Sequence, residues 1–165
     1  MSVEIRSVSP DECLKVHDLL LFEFYCISEP ILDFHLSGDI NVGGFDGDRL
    51  VGFVDLGYLD LNLASRYFGE PSTKTMAWFS AVVDKDYRGE GLQRRMYEYA
   101  ESLLPADVRY VDTTAHYSNL PSITNIMKAG FRHAGRYCDV CDRCGIVLDH
   151  RHPAFNFEYF VKRLR

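Results

Sequence analysis

The stretch AWFSAVVDKDYRGEGLQRRMYEYAESLL, residues 77–104, decides the fold of this chain. It opens with the apolar run Trp78–Val83, which is long enough for a buried strand. Apolar side chains then recur with the spacing of one helix face, at Leu92, Met96, Tyr99, Ala100 and Leu103. Because proline cannot continue a helix, Pro105 ends this pattern. The stretch therefore predicts a strand, a glycine turn and a helix, in that order.

The turn between the strand and the helix, Arg88–Gly91, has the composition of a phosphate-binding loop. A helix that begins at a glycine turn directs backbone N–H groups, and the positive end of its dipole, out of the turn. Gly89 and Gly91 lack the Cβ atoms that would keep an anion away, and Arg88 is placed to add a charge-assisted contact. The alternative is a tight turn before an ordinary amphipathic helix.

The residues of this loop exclude two common phosphate-binding motifs and match a third. A P-loop needs Lys followed by Ser or Thr after its second glycine, where this chain has Leu92 and Gln93. A dinucleotide fingerprint needs a third glycine, where this chain has Arg94. Residues 88–93 resemble the acyl-CoA pyrophosphate loop of the GNAT superfamily of N-acetyltransferases, Gln/Arg-x-x-Gly-x-Gly/Ala. Gln93 stands where Gly or Ala is commoner, but its side chain can point outward while its backbone N–H still donates.

A second motif is similar to the signature Asn-x-x-Ala/Ser, seven residues, Gly-Phe of the same superfamily. Asn119 and Ser122 precede Gly130-Phe131 with that spacing. Asn119 suits a helix N-cap that also reaches the pantetheine arm of CoA, Gly130 suits a left-handed helix stop, and Phe131 suits the core. Each residue alone also fits an ordinary cap. With both motifs in the right order, the chain is identified as a member of the GNAT superfamily over nearly its full length.

The resemblance implies an α/β (α+β) fold with a central, mixed and mostly antiparallel sheet, splayed at the cofactor site and flanked by helices. It also implies one GNAT domain over residues 1–165. Alternating residues predict strands over 3–8 and 155–161, and strands are also predicted over 109–115 and 131–137. The turn Asp46–Arg49 predicts a hairpin of strands 41–45 and 50–56. Helices are predicted after the capping box Ser9–Glu12, over 29–36, over 60–69 and from Asn119 to Gly130.

Three of these helices have predicted caps or buried faces. The helix after the capping box should bury Leu14, Leu20, Leu21 and Phe24. The helix over 60–69 should be capped by Asp60. The helix that begins at Asn119 should bury Ile123, Ile126 and Met127.

The composition limits the classes of function. A chain of 165 residues with 47% hydrophobic and 25% charged residues is typical of one globular domain. The net charge of −6 argues against nucleic acid as the main partner and suits a cationic acceptor such as an amine, while Arg88, Arg94 and Arg95 concentrate positive charge for CoA. We find no membrane-length apolar run or signal pattern, and five cysteines are an odd number for a disulfide scaffold. We therefore expect a cytoplasmic protein without nucleic-acid or membrane partners, and a homodimer stays open.

The resemblance implies that acetyl-CoA, as acyl donor, binds along the stretch quoted first. Its pantetheine arm would lie on the backbone of Ala81, Val82 and Val83, and an N–H of Val82 or Val83 would face the oxyanion. Its pyrophosphate would contact Arg88, Gly89, Glu90, Gly91, Leu92 and Gln93. Asn119 and Ser122 complete the predicted cofactor-binding residues.

The catalytic residues are less well defined, because Ile126 occupies the position where many relatives carry a tyrosine that protonates the leaving thiolate. Tyr117 and His116, at the end of the preceding strand, are possible substitutes. A buried tyrosine and a histidine that anchors a loop are the alternative interpretations of these two residues. The general-base candidates are Asp112, Glu29, Asp55 and His116, beside a chain of waters. The predicted catalytic set is Tyr117, His116 and Asp112.

A cysteine cluster near the C-terminus is the feature that the resemblance does not explain. Cys138, Cys141 and Cys144 are three residues apart, which suits a tetrahedral metal if they lie on a turn, with His150 or His152 as fourth ligand. The alternatives are redox chemistry and small hydrophobic side chains within a loop predicted over 138–153. Because these alternatives stay open, no metal ligand is predicted.

The motifs together predict an N-acetyltransferase that transfers an acetyl group from acetyl-CoA to a primary amine of a small molecule, by direct attack in a ternary complex. The segments 60–74 and 138–153 could narrow the acceptor cleft, which favours small acceptors. One alternative is a non-catalytic acyl-CoA-binding sensor, which Ile126 favours. The other is a protein or peptide N-acetyltransferase.

Overall fold

The computed structural model describes residues 3–24, 39–58, 62–146 and 156–164, with the backbone alone for 21–24. Its strands are β1 Glu4–Ser7, β2 Ile40–Asp46, β3 Arg49–Tyr58, β4 Lys74–Val83, β5 Val108–His116, β6 Arg132–Arg136 and β7 Phe157–Arg163. Its α-helices are α1 Cys13–Phe24, α2 Leu63–Tyr67, α3 Leu92–Ser102, α4 Leu120–Lys128 and α5 Tyr137–Arg143. Short 3-10 turns occupy Pro10–Glu12 and Lys85–Tyr87. The predicted helix 29–36, the side chains of Leu21 and Phe24, and Glu29, Asp60, His150 and His152 lie outside this description.

The strands form one sheet in the order β1-β2-β3-β4-β5-β7-β6. The pairs β1–β2, β2–β3, β5–β7 and β6–β7 are antiparallel, and the pair β4–β5 is parallel. The predicted mixed, mostly antiparallel sheet with flanking helices is therefore confirmed. The chain divides into two compact units, unit 1 with residues 1–57 and 79–104, and unit 2 with residues 58–78 and 105–165. None of the described helices combines the length and the apolar character needed to cross a membrane.

Unit 1 is built on the hairpin of β2 and β3, which confirms the turn predicted at Asp46–Arg49. Gly47 turns the chain with a φ of 59°, a left-handed value that favours glycine. On the neighbouring strand, a Cβ added to Gly52 would lie 2.9 Å from Met96 Cε. Because glycine carries no Cβ, α3 packs close to the sheet, and this packing fixes the helix that follows the glycine loop.

The capping box predicted before α1 is confirmed. The Ser9 N–H donates to Glu12 Oε2 at 3.2 Å, and the Ser9 hydroxyl donates to the same oxygen at 2.9 Å. Arg6 pairs with Glu12 at 2.8 Å, and this contact lowers the pKa of the Glu12 carboxyl far below its usual range. The inward prediction for Leu14 is wrong, because this side chain is 69% exposed and lies on the face of α1 opposite the buried stripe. That stripe consists of Val16, Leu19 and Leu20.

Two other predicted core residues lie at the surface. Leu103 is 42% exposed, because it is the C-cap of α3 and lies beyond the last helical turn. Tyr97, which directly follows the buried Met96 on α3, is buried instead. Met127 is 48% exposed, since its neighbour Ile126 takes the buried position of α4.

In unit 2, α2 and α5 bury side chains against one face of β5 and β7. This cluster consists of Leu63, Ala64, Tyr110, Val140, Cys141, Tyr159 and Val161. Helix α2 begins after Asn62, which has a left-handed φ of 44° and occupies the N-cap position predicted for Asp60. Asparagine tolerates this conformation better than most residues, which explains why the helix starts there.

The loop predicted over 138–153 is wrong in its first part, because α5 follows β6 directly. Cys138 and Cys141 are buried on this helix, and Val140 is fully buried beside them. The spacing that suggested metal ligands is therefore also the spacing of a buried helix face. Cysteine occurs both as a metal ligand and as a small buried side chain, so only the packing of unit 2 distinguishes these two roles.

Candidate active site

The buried carboxylate Asp84 fixes the end of β4 in unit 1. It accepts the Asp86 N–H at 3.0 Å and pairs with Arg49 Nη2 at 2.5 Å. The Asp84 N–H donates to the Val51 carbonyl at 2.9 Å. These contacts hold the strand end and the following 3-10 turn, and thereby set where the glycine loop begins. The sequence alone did not predict this role of Asp84, although a carboxylate directly after an apolar strand was an available signal.

The glycine loop lies between β4 and α3, as the sequence predicted. Gly89 and Gly91 have left-handed φ values of 85° and 73°. Within the described ranges, nothing lies within 4 Å of a Cβ built on either glycine. Arg88 Nε donates to the Val83 carbonyl at 2.9 Å, which ties the base of this exposed side chain to the end of β4. The loop therefore presents an open glycine surface beside a tethered guanidinium.

Helix α3 starts at this loop without a capping side chain. Gly91 is the N-cap residue, and no side chain among the described residues caps the helix there. A helix start leaves its first N–H groups without partners inside the helix, and the helix dipole adds positive potential at that end. Gln93 does not point outward, because its Nε2 donates to the Tyr97 hydroxyl at 2.7 Å. Burial raises the pKa of Tyr97, so this phenol stays neutral.

The other arginines near the loop have partners of their own. Arg94 Nε lies 3.6 Å from Glu98 one helical turn away, and Arg95 Nη2 donates to the Val3 carbonyl at 2.9 Å. Arg94 and Glu98 are both about two-thirds exposed, so their attraction is weak. The positive charge that the sequence predicts near the loop is therefore partly balanced, and Arg88 is the arginine that belongs to the loop itself.

The predicted pantetheine residues form the end of β4 in unit 1. Val82 is buried, Ala81 and Val83 are half-buried, and the Val83 carbonyl accepts the bond from Arg88. In unit 2, the parallel register of β4 with β5 ends at the pair Trp78↔Thr113. Residues 79–83 of β4, which precede the glycine loop, therefore come after the last residue pair of this register.

The second motif has the predicted caps in unit 2. Asn119 Oδ1 accepts the Ser122 N–H at 3.2 Å and caps α4. Gly130 ends the helix with a left-handed φ of 90°. Phe131 is buried, with its ring 4.9 Å from the ring of Trp78. The capping roles are confirmed, while contacts of Asn119 and Ser122 with a cofactor stay predictions.

His116 and Tyr117 lie side by side at the end of β5. Their ring centroids are 4.6 Å apart, and Tyr117 is 58% exposed. His116 Nδ1 lies 2.7 Å from the hydroxyl of Ser118, a residue that the sequence prediction missed. A histidine two residues before a serine at a strand end was the available signal. Ile126 is 2% exposed, so the position of the family tyrosine is a buried apolar one here.

Asp112, the third predicted catalytic residue, is buried in unit 2. The Tyr159 hydroxyl donates to Asp112 Oδ2 at 2.6 Å, and the backbone of Ala64 supplies a second hydrogen bond. Burial disfavours the carboxylate more than these bonds favour it, and it raises the pKa of Asp112 to about 6. Asp55, another base candidate, is buried in β3 of unit 1. A catalytic role for Asp112 stays a prediction.

The three cysteines of α5 lie among packed side chains. Cys138 and Cys141 are buried and Cys144 is half-buried. Burial raises the pKa of all three thiols, that of Cys141 to about 11, so they are neutral near pH 7. Over the described ranges, no three His, Cys, Asp or Glu side chains are grouped so that they could hold a metal ion.

Comparison with protein families gives a match over most of the chain. Residues 11–131 match the family described as "Acetyltransferase (GNAT) family". A search of curated proteins finds no match.

Solved structures resemble this fold over nearly its full length. The structure of Arabidopsis thaliana NAA60 in complex with acetyl-CoA is 14% identical, with 99% of this chain and 100% of that chain covered and a TM-score of 0.75. The GNAT family N-acetyltransferase YhbS from Escherichia coli in complex with CoA is 22% identical, with 99% and 82% covered and a TM-score of 0.68. The ribosomal-protein-S18-alanine N-acetyltransferase from Escherichia coli is 15% identical, with 97% and 91% covered and a TM-score of 0.66. At these identities the likeness establishes the fold.

Proposed function

This chain belongs to the GNAT family of acetyltransferases, and we propose that it transfers an acetyl group from acetyl-CoA to a primary amine of a small molecule. The observation that carries the proposal is the start of α3, where two left-handed glycines leave open space beside an uncapped helix and the side chain of Arg88. Backbone N–H groups at such a start bind phosphate. The complexes of NAA60 with acetyl-CoA and of YhbS with CoA support the choice of ligand.

In this proposal, the donor is held by backbone more than by side chains. The pyrophosphate accepts hydrogen bonds from backbone N–H groups of the segment 89–93, and Arg88 adds a charge-assisted hydrogen bond. The pantetheine arm bonds to the backbone of residues 81–83. Asn119 Oδ1 is occupied by the cap of α4, so its Nδ2 is the group that we assign to pantetheine, with Ser122 beside it.

The reaction that we propose is a direct attack of the neutral amine on the thioester carbon. The C–N bond forms, the C–S bond breaks, and the electron pair leaves on the CoA sulfur. Alignment of the two reactants and stabilisation of the oxyanion by the N–H of Val82 or Val83 supply most of the acceleration. Since the Ile126 side chain has no hydrogen-bond donor, His116 and Tyr117 are the groups that we assign to the leaving sulfur as hydrogen-bond donors.

The choice of a small acceptor is supported by charge. The net charge of −6 favours cationic amines over anionic acceptors. A protein or peptide acceptor is the second candidate, because one of the structural neighbours is named ribosomal-protein-S18-alanine N-acetyltransferase. A non-catalytic acyl-CoA sensor is the third, because Ile126 is a buried apolar residue.

One assay separates these three candidates. The protein is incubated with acetyl-CoA and a panel of polyamines, aminoglycosides, amino acids and peptides, and free CoA and acetylated product are quantified by chromatography and mass spectrometry. We expect acetylation of at least one small amine and none of the peptides. Acetylation of peptides alone would support the second candidate. Acetyl-CoA binding without turnover would support the sensor, and failure to bind acetyl-CoA would refute all three.

A further inference from the structure

The imidazole of His116 makes two contacts with Ser118 in unit 2, both at Nδ1. Ser118 Oγ lies 2.7 Å from His116 Nδ1, and the Ser118 backbone N–H donates to the same nitrogen at 3.3 Å. A ring nitrogen that accepts a backbone N–H carries no proton itself. The proton of neutral His116 is therefore on Nε2, and the Ser118 hydroxyl donates to Nδ1 rather than accepting from it.

The ring of His116 is also fixed from its two sides. The Tyr117 ring lies 4.6 Å away at an interplanar angle of 30°, and the Phe157 ring meets it edge-on at 5.6 Å and 89°. The turn itself is held because the Tyr117 N–H donates to the Asn156 carbonyl and the Asn119 N–H donates to the His116 carbonyl. In the part of the chain that the structure describes, no group accepts a hydrogen bond from Nε2. The fixed ring thus presents one available donor.

We propose that Ser118 is a positioning residue, which holds His116 as a neutral hydrogen-bond donor through Nε2–H. The inference rests on the proposed function and deepens it, because this donor stabilises negative charge on the CoA sulfur as the C–S bond breaks. No proton leaves His116 in this step. The thiolate takes its proton from water, and the acceptor amine loses its proton to water.

This arrangement separates His116 from a general base. A base must offer a lone pair to the incoming ammonium or to its water, and the lone pair of Nδ1 is occupied by two donors from Ser118. Acceptance at Nδ1 also polarises the ring, which strengthens donation from Nε2–H. A preoriented neutral donor needs no reorganisation as charge develops, which is the condition for effective electrostatic stabilisation.

Substitutions of His116 test the donor role by kinetics. His116→Gln keeps an N–H group near the position of Nε2, whereas His116→Ala removes it. We expect His116→Ala to lower kcat roughly 100-fold, as loss of one preoriented donor does, and His116→Gln to recover at least about 10-fold of that loss. The KM for acetyl-CoA should stay unchanged in both. If His116→Gln is as inactive as His116→Ala, a titrating ring is required and the inference is wrong.

The role of Ser118 is tested by nitrogen-15 NMR on the ligand-free protein. Long-range proton–nitrogen correlations report the tautomer of each imidazole, and the signals of His116 are those absent from His116→Gln. We expect the Nε2–H tautomer in the wild type and in Ser118→Thr, and a mixture of both tautomers with a shifted Nδ1 signal in Ser118→Ala. A wild-type Nδ1–H tautomer, or an Nδ1 signal unchanged in Ser118→Ala, would refute the inference. Because this readout needs no turnover, an Nε2–H tautomer without acetylation of any amine refutes the proposed function instead.

Discussion

The starts of α3 and α4 are two solutions to the same problem of unpaired backbone N–H groups. At the start of α4, Asn119 accepts the Ser122 N–H at 3.2 Å, so the chain satisfies this helix end itself. At the start of α3, the N-cap is Gly91, which has no side chain to offer. Both starts carry residues of the family motifs, but of the two, the start of α3 is the one that no described side chain caps.

The two units also differ in how their buried carboxylates are paired. In unit 2, the Asp112 carboxylate is satisfied internally by Tyr159 and by the backbone of Ala64. In unit 1, Asp84 and Glu12 pair with arginines, which hold the hairpin, the strand end and the first turn in place. We infer that these contacts of unit 1 fix the position of the loop, while no described side chain caps the helix that starts at Gly91. The predictions below test this contrast.

The largest effect is expected from Gly91→Val. The added side chain would fill the open space at the helix start and prevent about two charge-assisted hydrogen bonds, which lowers acetyl-CoA affinity roughly 100-fold or more. Position 91 has a left-handed φ of 73°, and a branched residue in this conformation also costs about 1–3 kcal/mol of folding free energy. Isothermal titration calorimetry and urea unfolding measure the two effects separately.

Gly69→Val is the matched control for this strain. Gly69 has a φ of 75°, and the described residues leave the space around its Cβ equally open. We expect the same loss of stability as for Gly91→Val, with unchanged acetyl-CoA affinity. If both variants bind acetyl-CoA equally well, the pyrophosphate does not lie at the start of α3.

The next effect is the pH dependence of stability caused by Asp112. Its pKa is raised from an ordinary 3.8 to about 6, so the native state binds a proton more tightly than the unfolded state. The resulting stabilisation is complete below the ordinary pKa and is lost as the pH rises through about 6. Two pKa units correspond to about 3 kcal/mol. We therefore expect Asp112→Asn to gain about 3 kcal/mol relative to the wild type between pH 3 and pH 7.

Urea unfolding of both proteins across this pH range tests the prediction, because other titrating groups cancel in the difference. Tyr159→Phe is the companion variant, since it removes the phenol that favours the carboxylate. We expect this variant to shift the pH dependence to higher pH. If the free energies of unfolding of the wild type and Asp112→Asn change in parallel with pH, burial does not raise the pKa of Asp112 and the prediction is wrong.

A smaller effect is expected from Arg88→Ala. Its guanidinium is tied to the Val83 carbonyl at 2.9 Å and adds one charge-assisted contact to the donors of the backbone. Loss of such a contact costs about 1.5 kcal/mol, or roughly 10-fold in acetyl-CoA affinity. Arg94→Ala is the control, because Arg94 is exposed and lies near Glu98, and we expect it to change affinity less than about 2-fold. Equal losses in both variants would show a general charge effect instead.

The sequence predicted those features that depend on local geometry. The hairpin turn at Gly47, the capping box at Ser9 and the left-handed helix stop at Gly130 each need a particular residue type at one position, so they can be predicted without knowledge of the packing. Helix α5 was missed because its buried residues include cysteines, whose spacing also fits a metal site. The exposure of Leu14 and Met127 depends on which face of a helix meets the sheet, and this is set by residues far away in the chain.

The same distinction applies within the candidate site. The glycine loop could be predicted because its conformation is encoded by Gly89 and Gly91 themselves. The contact of His116 with Ser118 could not, since it depends on the geometry of the turn that follows β5. The engagement of Gln93 with Tyr97 was missed for the same reason, because it links two side chains one helical turn apart, where many rotamers are available.

The smallest effect is expected at Asn119, where one amide has two predicted roles. Asn119→Ala removes the cap and should cost about 1 kcal/mol of folding free energy. Asn119→Asp keeps an oxygen for the Ser122 N–H and should keep the stability, but it loses the Nδ2 donor proposed for pantetheine. Both variants should then bind acetyl-CoA about 3- to 10-fold more weakly, the value of one neutral hydrogen bond. If Asn119→Asp binds acetyl-CoA like the wild type, Asn119 is a cap alone, and the start of α4 serves only the chain itself.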